Sequence, residues 1–105
     1  MAPDSKLYII LRATLSAGLK TAQTAHAAFA FQKEHPELQA DWFESSNNIC
    51  VLEYDDLDDL AERLENHGLA LARFREPDQD NALTAICVEP RARKQVARLP
   101  LACAA

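Results

Sequence analysis

The sequence predicts an α/β fold: a four-stranded mixed sheet with helices on both faces. Three observations carry that prediction. Apolar runs of strand length recur at residues 7–12, 49–54, 70–75 and 84–88. Segments of helical length and period separate the first three. The chain has 105 residues, 49% of them apolar, and only two glycines. That is enough to bury roughly two-thirds of the unfolded surface in one core. One domain is therefore expected over residues 1–105, with its core at about 7–99 and short tails at either end.

The first strand, Leu7-Tyr8-Ile9-Ile10-Leu11-Arg12, is a continuous apolar run of the kind buried on both faces. A hinge at residues 13–18 leads into a helix over about 18–34. Ala22, Ala25, Ala28, Phe29 and Phe31 are the expected buried stripe of this helix. His35-Pro36 ends it, because a residue before proline is pushed out of the helical region. Pro36 then opens a short helix to about residue 43, since its missing N–H does no harm at a first helical position. Trp42 and Phe43 are expected to anchor that helix on the core.

Asn47-Asn48 marks a turn before the second strand. Leu57, Leu60, Ala61 and Leu64 then follow the i, i+3, i+4, i+7 rule, capped by Asp55 or Asp56 and stopped by Gly68. The third strand leads to a polar loop, Glu76-Pro77-Asp78-Gln79-Asp80-Asn81, and the fourth strand ends at Pro90. Residues 91–98 form a short helix or an extended basic tail. His35 and His67 lie at helix ends and read as local caps.

Charge and cysteine usage narrow the function classes. The formal charge is −5, which argues against a broad nucleic-acid surface and leaves room for a local basic patch. Seven acids lie between Glu53 and Glu65, with one arginine among them. Of these, the run Asp55 to Glu62 reads as a solvated acidic cap at the positive end of a helix, not as a metal site. The bases concentrate in Arg91, Arg93, Lys94 and Arg98. These are the candidates for touching an RNA backbone; their alternative is a solvated helix face. Three cysteines without a C-x-x-C pair argue against disulfides and zinc, so Cys50 and Cys87 are read as small core residues. No apolar run approaches a membrane span and the first residues lack a secretory pattern, which together lead to the expectation of a cytoplasmic protein.

The chemistry points to the first helix. Lys20, Gln23 and His26 are spaced by three on a helix otherwise rich in alanine, just after a strand. Polar groups so placed suggest a site at the strand's carboxyl end. Taken singly, each has an ordinary role. His26 could be a partly buried histidine bonded to a carbonyl, Gln23 a solvated helix residue and Lys20 a first-turn lysine. Thr84 could simply open a strand, and Glu76 and Asp78 could be turn residues.

The order of these pieces resembles the archaeal- and eukaryotic-type (type 2) peptidyl-tRNA hydrolase family. The apolar strand closes on Arg12, the helix carries Gln23-Thr24-Ala25-His26-Ala27-Ala28, and the last strand runs Thr84-Ala85-Ile86-Cys87-Val88-Glu89-Pro90. In this register Leu19 stands where the family has lysine, and Lys20 comes one residue later. Glu76-Pro77-Asp78 and a shorter loop replace the family's Asp-Ala-Gly turn. The chain thus resembles the divergent, peptidyl-tRNA hydrolase domain-containing branch.

The resemblance implies hydrolysis of the ester between a peptide and the 3′ end of tRNA, without metal or other cofactor, by a protein able to form a homodimer. It implies that Gln23 bonds the substrate, Lys20 stabilises negative charge and Thr84 bonds at the same mouth. Glu76 or Asp78 would orient the water, and His26 would orient a neighbour or carry a proton. The alternative is a catalytically impaired module on the same fold that binds tRNA ends or a protein partner.

Overall fold

A computed structural model describes residues 1–104 of the chain. Its elements are β1 (Lys6–Leu11), α1 (Ala17–Glu34), α2 (Pro36–Ser45), β2 (Asn48–Glu53), α3 (Leu57–Asn66), β3 (Leu71–Glu76), β4 (Ala82–Val88) and α4 (Arg93–Val96). Single 3₁₀ turns at Pro77–Gln79 and Pro90–Ala92 flank β4. The strand order is β2-β1-β4-β3. β1 and β2 are parallel, whereas β4 is antiparallel to both β1 and β3. Consequently β1, β2 and β3 point the same way, and their carboxyl ends share one end of the sheet with the start of β4.

The expected mixed sheet with helices on both faces is present. Alternation along β1 divides its residues between two cores. Leu7, Ile9 and Leu11 face α1 and α2, packing with Ala27, Phe31, Trp42, Ala85 and Cys87. Tyr8 and Ile10 face the other way, packing with Leu57, Leu60, Ala61 and Leu64 of α3 and with Val96 of α4. Ser16 caps α1 by accepting the Leu19 N–H, and Asp56 caps α3 by accepting the Asp59 N–H. Gly68, at φ +74°, makes the left-handed stop after α3. No helix among the described residues is long and apolar enough to cross a membrane.

Several expectations are corrected. The buried residues of α1 are Gln23, Ala27 and Phe31, while Ala22 and Ala25 are exposed and Phe29 is 69% exposed. An alanine-rich helix is apolar nearly all round, so its periodicity does not single out the buried face. Trp42 anchors α2 and donates its indole N–H to the Asn48 carbonyl, but Phe43 faces solvent. Cys87 is buried, whereas Cys50 is half-buried on the edge strand β2. His35 is the cap residue between α1 and α2, its N–H donating to the Phe31 carbonyl at 2.8 Å. Its ring in addition reaches the Leu71 carbonyl at 2.9 Å, tying α1 to β3. His67 does bond within its own helix, to the Arg63 carbonyl.

Two features of the sheet bear on the site. Phe74 lies opposite Ala85 and Arg75 opposite Leu83, so Thr84 is the extra residue of a β-bulge. Residues 100–102 also run antiparallel along the free edge of β2. Leu101 bridges Leu52, the Glu53 N–H donates to the Pro100 carbonyl, and the Ala102 N–H donates to the Val51 carbonyl.

Candidate active site

Helix α1 packs across β3 and β4, and its first two turns lie over the carboxyl end of the sheet. Gln23 is 1% exposed and lies on the same stripe as Ala27 and Phe31. Its Nε2 donates to Glu76 Oε2 at 2.6 Å. Glu76 is the last residue of β3, and its Oε1 accepts the Asp78 N–H at 3.2 Å. The Gln23 hydrogen bond, then that backbone N–H, hold the Glu76 carboxyl below the usual carboxylate range. Burial opposes the shift, and the charge of His26 assists it.

On the opposite side, Lys20 Nζ donates to Glu53 Oε2 at 2.6 Å, with both side chains mostly shielded from water. The same oxygen accepts the Cys103 N–H at 3.1 Å. The Lys20 hydrogen bond, chiefly, holds Glu53 below its ordinary range. Glu53 closes β2 and Glu76 closes β3, so three strand spacings, about 14 Å, separate the two carboxylate-bearing strands.

The ends of β1 and β4 lie between them. The Arg12 N–H donates to the Thr84 carbonyl at 3.0 Å, and Arg12 Nη2 to the Leu83 carbonyl at 2.8 Å. Arginine thereby pins both sides of the bulge. Three buried polar atoms lack a hydrogen-bond partner among the described residues: Arg12 Nε, Gln23 Oε1 and Thr84 Oγ1. Such atoms are costly unless something binds them. All three belong to elements at this end of the sheet.

The candidate residues therefore divide. Lys20, Gln23, Glu76 and Thr84 share the carboxyl end. His26 lies on its rim, exposed, with its ring stacked on Phe74 at 4.4 Å and 7°. The Asp78 side chain is exposed in the loop, and its backbone N–H is what serves Glu76. Arg91, Arg93, Lys94 and Arg98 follow β4 and lie toward the other end of that strand. Arg91 forms an ion pair with buried Glu89, at 2.6 Å, while Arg93, Lys94 and Arg98 flank a shallow groove with Ala97.

The sequence alone did not single out Glu53, which it placed near the end of the second strand. It also passed over Arg12 as a functional group, although the strand's closing arginine was visible. No local signal links Glu53 to Lys20, because the pairing depends on β2 lying beside β1. Among the described residues, no three His, Cys, Asp or Glu side chains converge in a way that could hold a metal ion.

Chemically, the site offers an ionised carboxylate fixed by an amide, an ammonium group, a free amide oxygen and a free hydroxyl. It can orient a water, bond a ribose or peptide group and stabilise a developing anion. No curated protein matches the chain in sequence. The family model described as peptidyl-tRNA hydrolase PTH2 matches residues 5–100. With nearly its whole length covered by that match, the chain belongs to the PTH2 family of peptidyl-tRNA hydrolases.

Proposed function

We propose that this chain hydrolyses the ester between a peptide and the terminal ribose of tRNA, with Glu76 as the water-orienting carboxylate. The part-buried Gln23–Glu76 hydrogen bond of 2.6 Å carries this reading. It fixes a charged carboxylate on one oxygen while the Asp78 N–H fixes the other, which favours Glu76 over Asp78 for the role. Gln23 Oε1 and Thr84 Oγ1 remain to bond the substrate's own hydroxyl or N–H groups.

Water adds to the ester carbonyl carbon, and Glu76 accepts a hydrogen bond from it as the new C–O bond forms. Lys20 supplies positive charge for the tetrahedral oxyanion. The C–O bond to the ribose oxygen then breaks. That oxygen takes up the water's proton, passed through Glu76, and leaves as the 3′ hydroxyl, while the peptide leaves as the carboxylic acid, which ionises. His26, exposed beside Phe74, can carry protons between this rim and solvent. Arg93, Lys94 and Arg98 would meet phosphates of the same tRNA about one strand length away, roughly 20 Å.

Release of free tRNA from purified N-acetyl-aminoacyl-tRNA, with a chelator present, tests this reading. Cleavage that survives the chelator and is lost in Gln23→Ala supports it. No cleavage by folded wild-type protein removes it. The second reading is a non-catalytic module that binds tRNA ends or a protein partner, and the Lys20–Glu53 ion pair favours it by offsetting the charge of the ammonium. It requires saturable binding of uncharged tRNA or a protein partner with no turnover.

A further inference from the structure

We propose that Glu53 is a positioning residue for Lys20, and that residues 100–103, bound to the edge of β2, hold Glu53 in place. This rests on the hydrolase reading above. The first turn of α1 contains no acid, and Lys20 stands there at the end of the helix where the dipole disfavours a cation. A lysine on four rotatable bonds in that position has no reason of its own to lie over the sheet. Glu53, from a different element, supplies the missing negative charge at 2.6 Å.

The helix geometry explains why the partner comes from β2. At about 100° per residue, Lys20 falls within about 60° of Gln23 and Ala27, on the stripe that faces the sheet. Leu19 lies about 100° from Lys20, at the margin of that stripe. A side chain at position 20 therefore reaches down onto the strand ends, and Glu53 is the acid standing there. Glu53 takes one of the three ammonium donors and leaves two for an anion.

The tail completes the arrangement. β2 is otherwise an edge strand, and its last residue would have one unpaired side. The Pro100 carbonyl accepts the Glu53 N–H at 2.8 Å, and the Cys103 N–H donates to Glu53 Oε2 at 3.1 Å. Backbone and side chain of the same residue are thus held by one segment. Because that segment bonds the very oxygen that holds Lys20, displacing it loosens both.

The test is steady-state cleavage of N-acetyl-aminoacyl-tRNA by five proteins: wild type, Gln23→Ala, Glu53→Gln, Cys103→Pro and Glu53→Gln with Leu19→Lys. Glu53→Gln should lower kcat up to about 100-fold through misplacement of Lys20. KM should stay within about twofold, because binding of the substrate ground state is untouched. Cys103→Pro deletes the N–H donor and, because Cys103 lies at φ +58°, which proline cannot adopt, also displaces the tail from Glu53; kcat should fall in the same direction. Leu19→Lys should restore part of the activity lost in Glu53→Gln, since a lysine there lies one turn from Gln23, about 40° from it around the helix axis.

Wild-type kcat in Glu53→Gln overturns the inference and leaves the hydrolase reading standing. So does a loss that Leu19→Lys does not recover while the melting temperature has fallen, which would mark Glu53 as structural only. A folded wild type that cleaves nothing overturns both. If Glu53→Gln does not fold, full activity in Cys103→Pro overturns the positioning role of the tail.

Discussion

Gln23 and Glu76 are 53 residues apart in sequence and 2.6 Å apart in space, joined by an amide N–H donated to a carboxylate. One lies on a helix stripe otherwise given to alanine and phenylalanine, the other at the last position of β3. Burying a glutamine in that stripe forgoes apolar packing against the sheet and leaves its Oε1 without a partner among the described residues. The exchange is intelligible if the amide serves the carboxylate and a ligand at once.

The titration of Glu76 should reveal this bond directly. Its carboxyl is held below the ordinary range chiefly by Gln23. A folded-state pKa below the unfolded value contributes stability above the unfolded pKa, and that contribution is lost as pH falls through the folded pKa. Replacing Gln23 by methionine keeps the volume and removes the donor. The Glu76 carboxyl carbon, followed by NMR, should then titrate at higher pH than in wild type. Turnover should fall by about 100-fold.

Thr84 should separate activity from stability. Its hydroxyl is fully buried and has no partner among the described residues, so Thr84→Val removes a polar group that the folded protein does not use. The melting temperature should hold or rise. Cleavage of N-acetyl-aminoacyl-tRNA should fall by about 10- to 100-fold if the hydroxyl bonds the substrate. An unchanged rate would make Thr84 only the extra residue of a bulge.

Arg91 should behave as a structural residue and not as an RNA contact. Glu89 is 1% exposed, and its carboxylate accepts the Ala70 N–H and both Nε and Nη2 of Arg91. Burial alone would push this carboxyl up; Arg91 and the Ala70 N–H outweigh it and hold it below the usual range. Arg91→Ala should therefore lower the melting temperature at neutral pH. The deficit should shrink as pH falls through the folded pKa of Glu89, because the wild type then loses the same contribution.

Arg93, Lys94 and Arg98 should behave in the opposite way. Their side chains face solvent around the α4 groove, so replacing all three by alanine should leave the melting temperature near that of wild type. If they meet phosphates, KM for the tRNA substrate should rise with little change in kcat. The slope of log affinity against log salt should fall by about one for each contact removed. An unchanged salt slope would place the tRNA elsewhere on the surface.

The elements differ in how much of them could be read without coordinates. Leu57, Leu60, Ala61 and Leu64 of α3 alternate with acids, and the resulting stripe is the one buried. In α1 the alanines blur the period, and the buried face turned out to hold Gln23 while Phe29 stayed outside. Strand β4 could be located from its apolar run, but its bulge at Thr84 depends on the β3 register, which no local pattern encodes. His35 caps α1 as its position suggested, but the bond from its ring to a carbonyl of β3 had no local signal.

The amino-acid sequence by itself determined the class of fold, the strands and helices to within a few residues, and the family, through the run from Gln23 to Ala28. It also placed Lys20, Gln23, Glu76 and Thr84 among the residues worth following. Which carboxylate meets which partner was decided only by the tertiary structure. Glu76 joins Gln23 and Glu53 joins Lys20 because β3 and β2 lie at opposite edges of the sheet under α1. Ion pairs and hydrogen bonds act over a few ångströms, and sheet order alone brings residues 33 and 53 positions apart within that range.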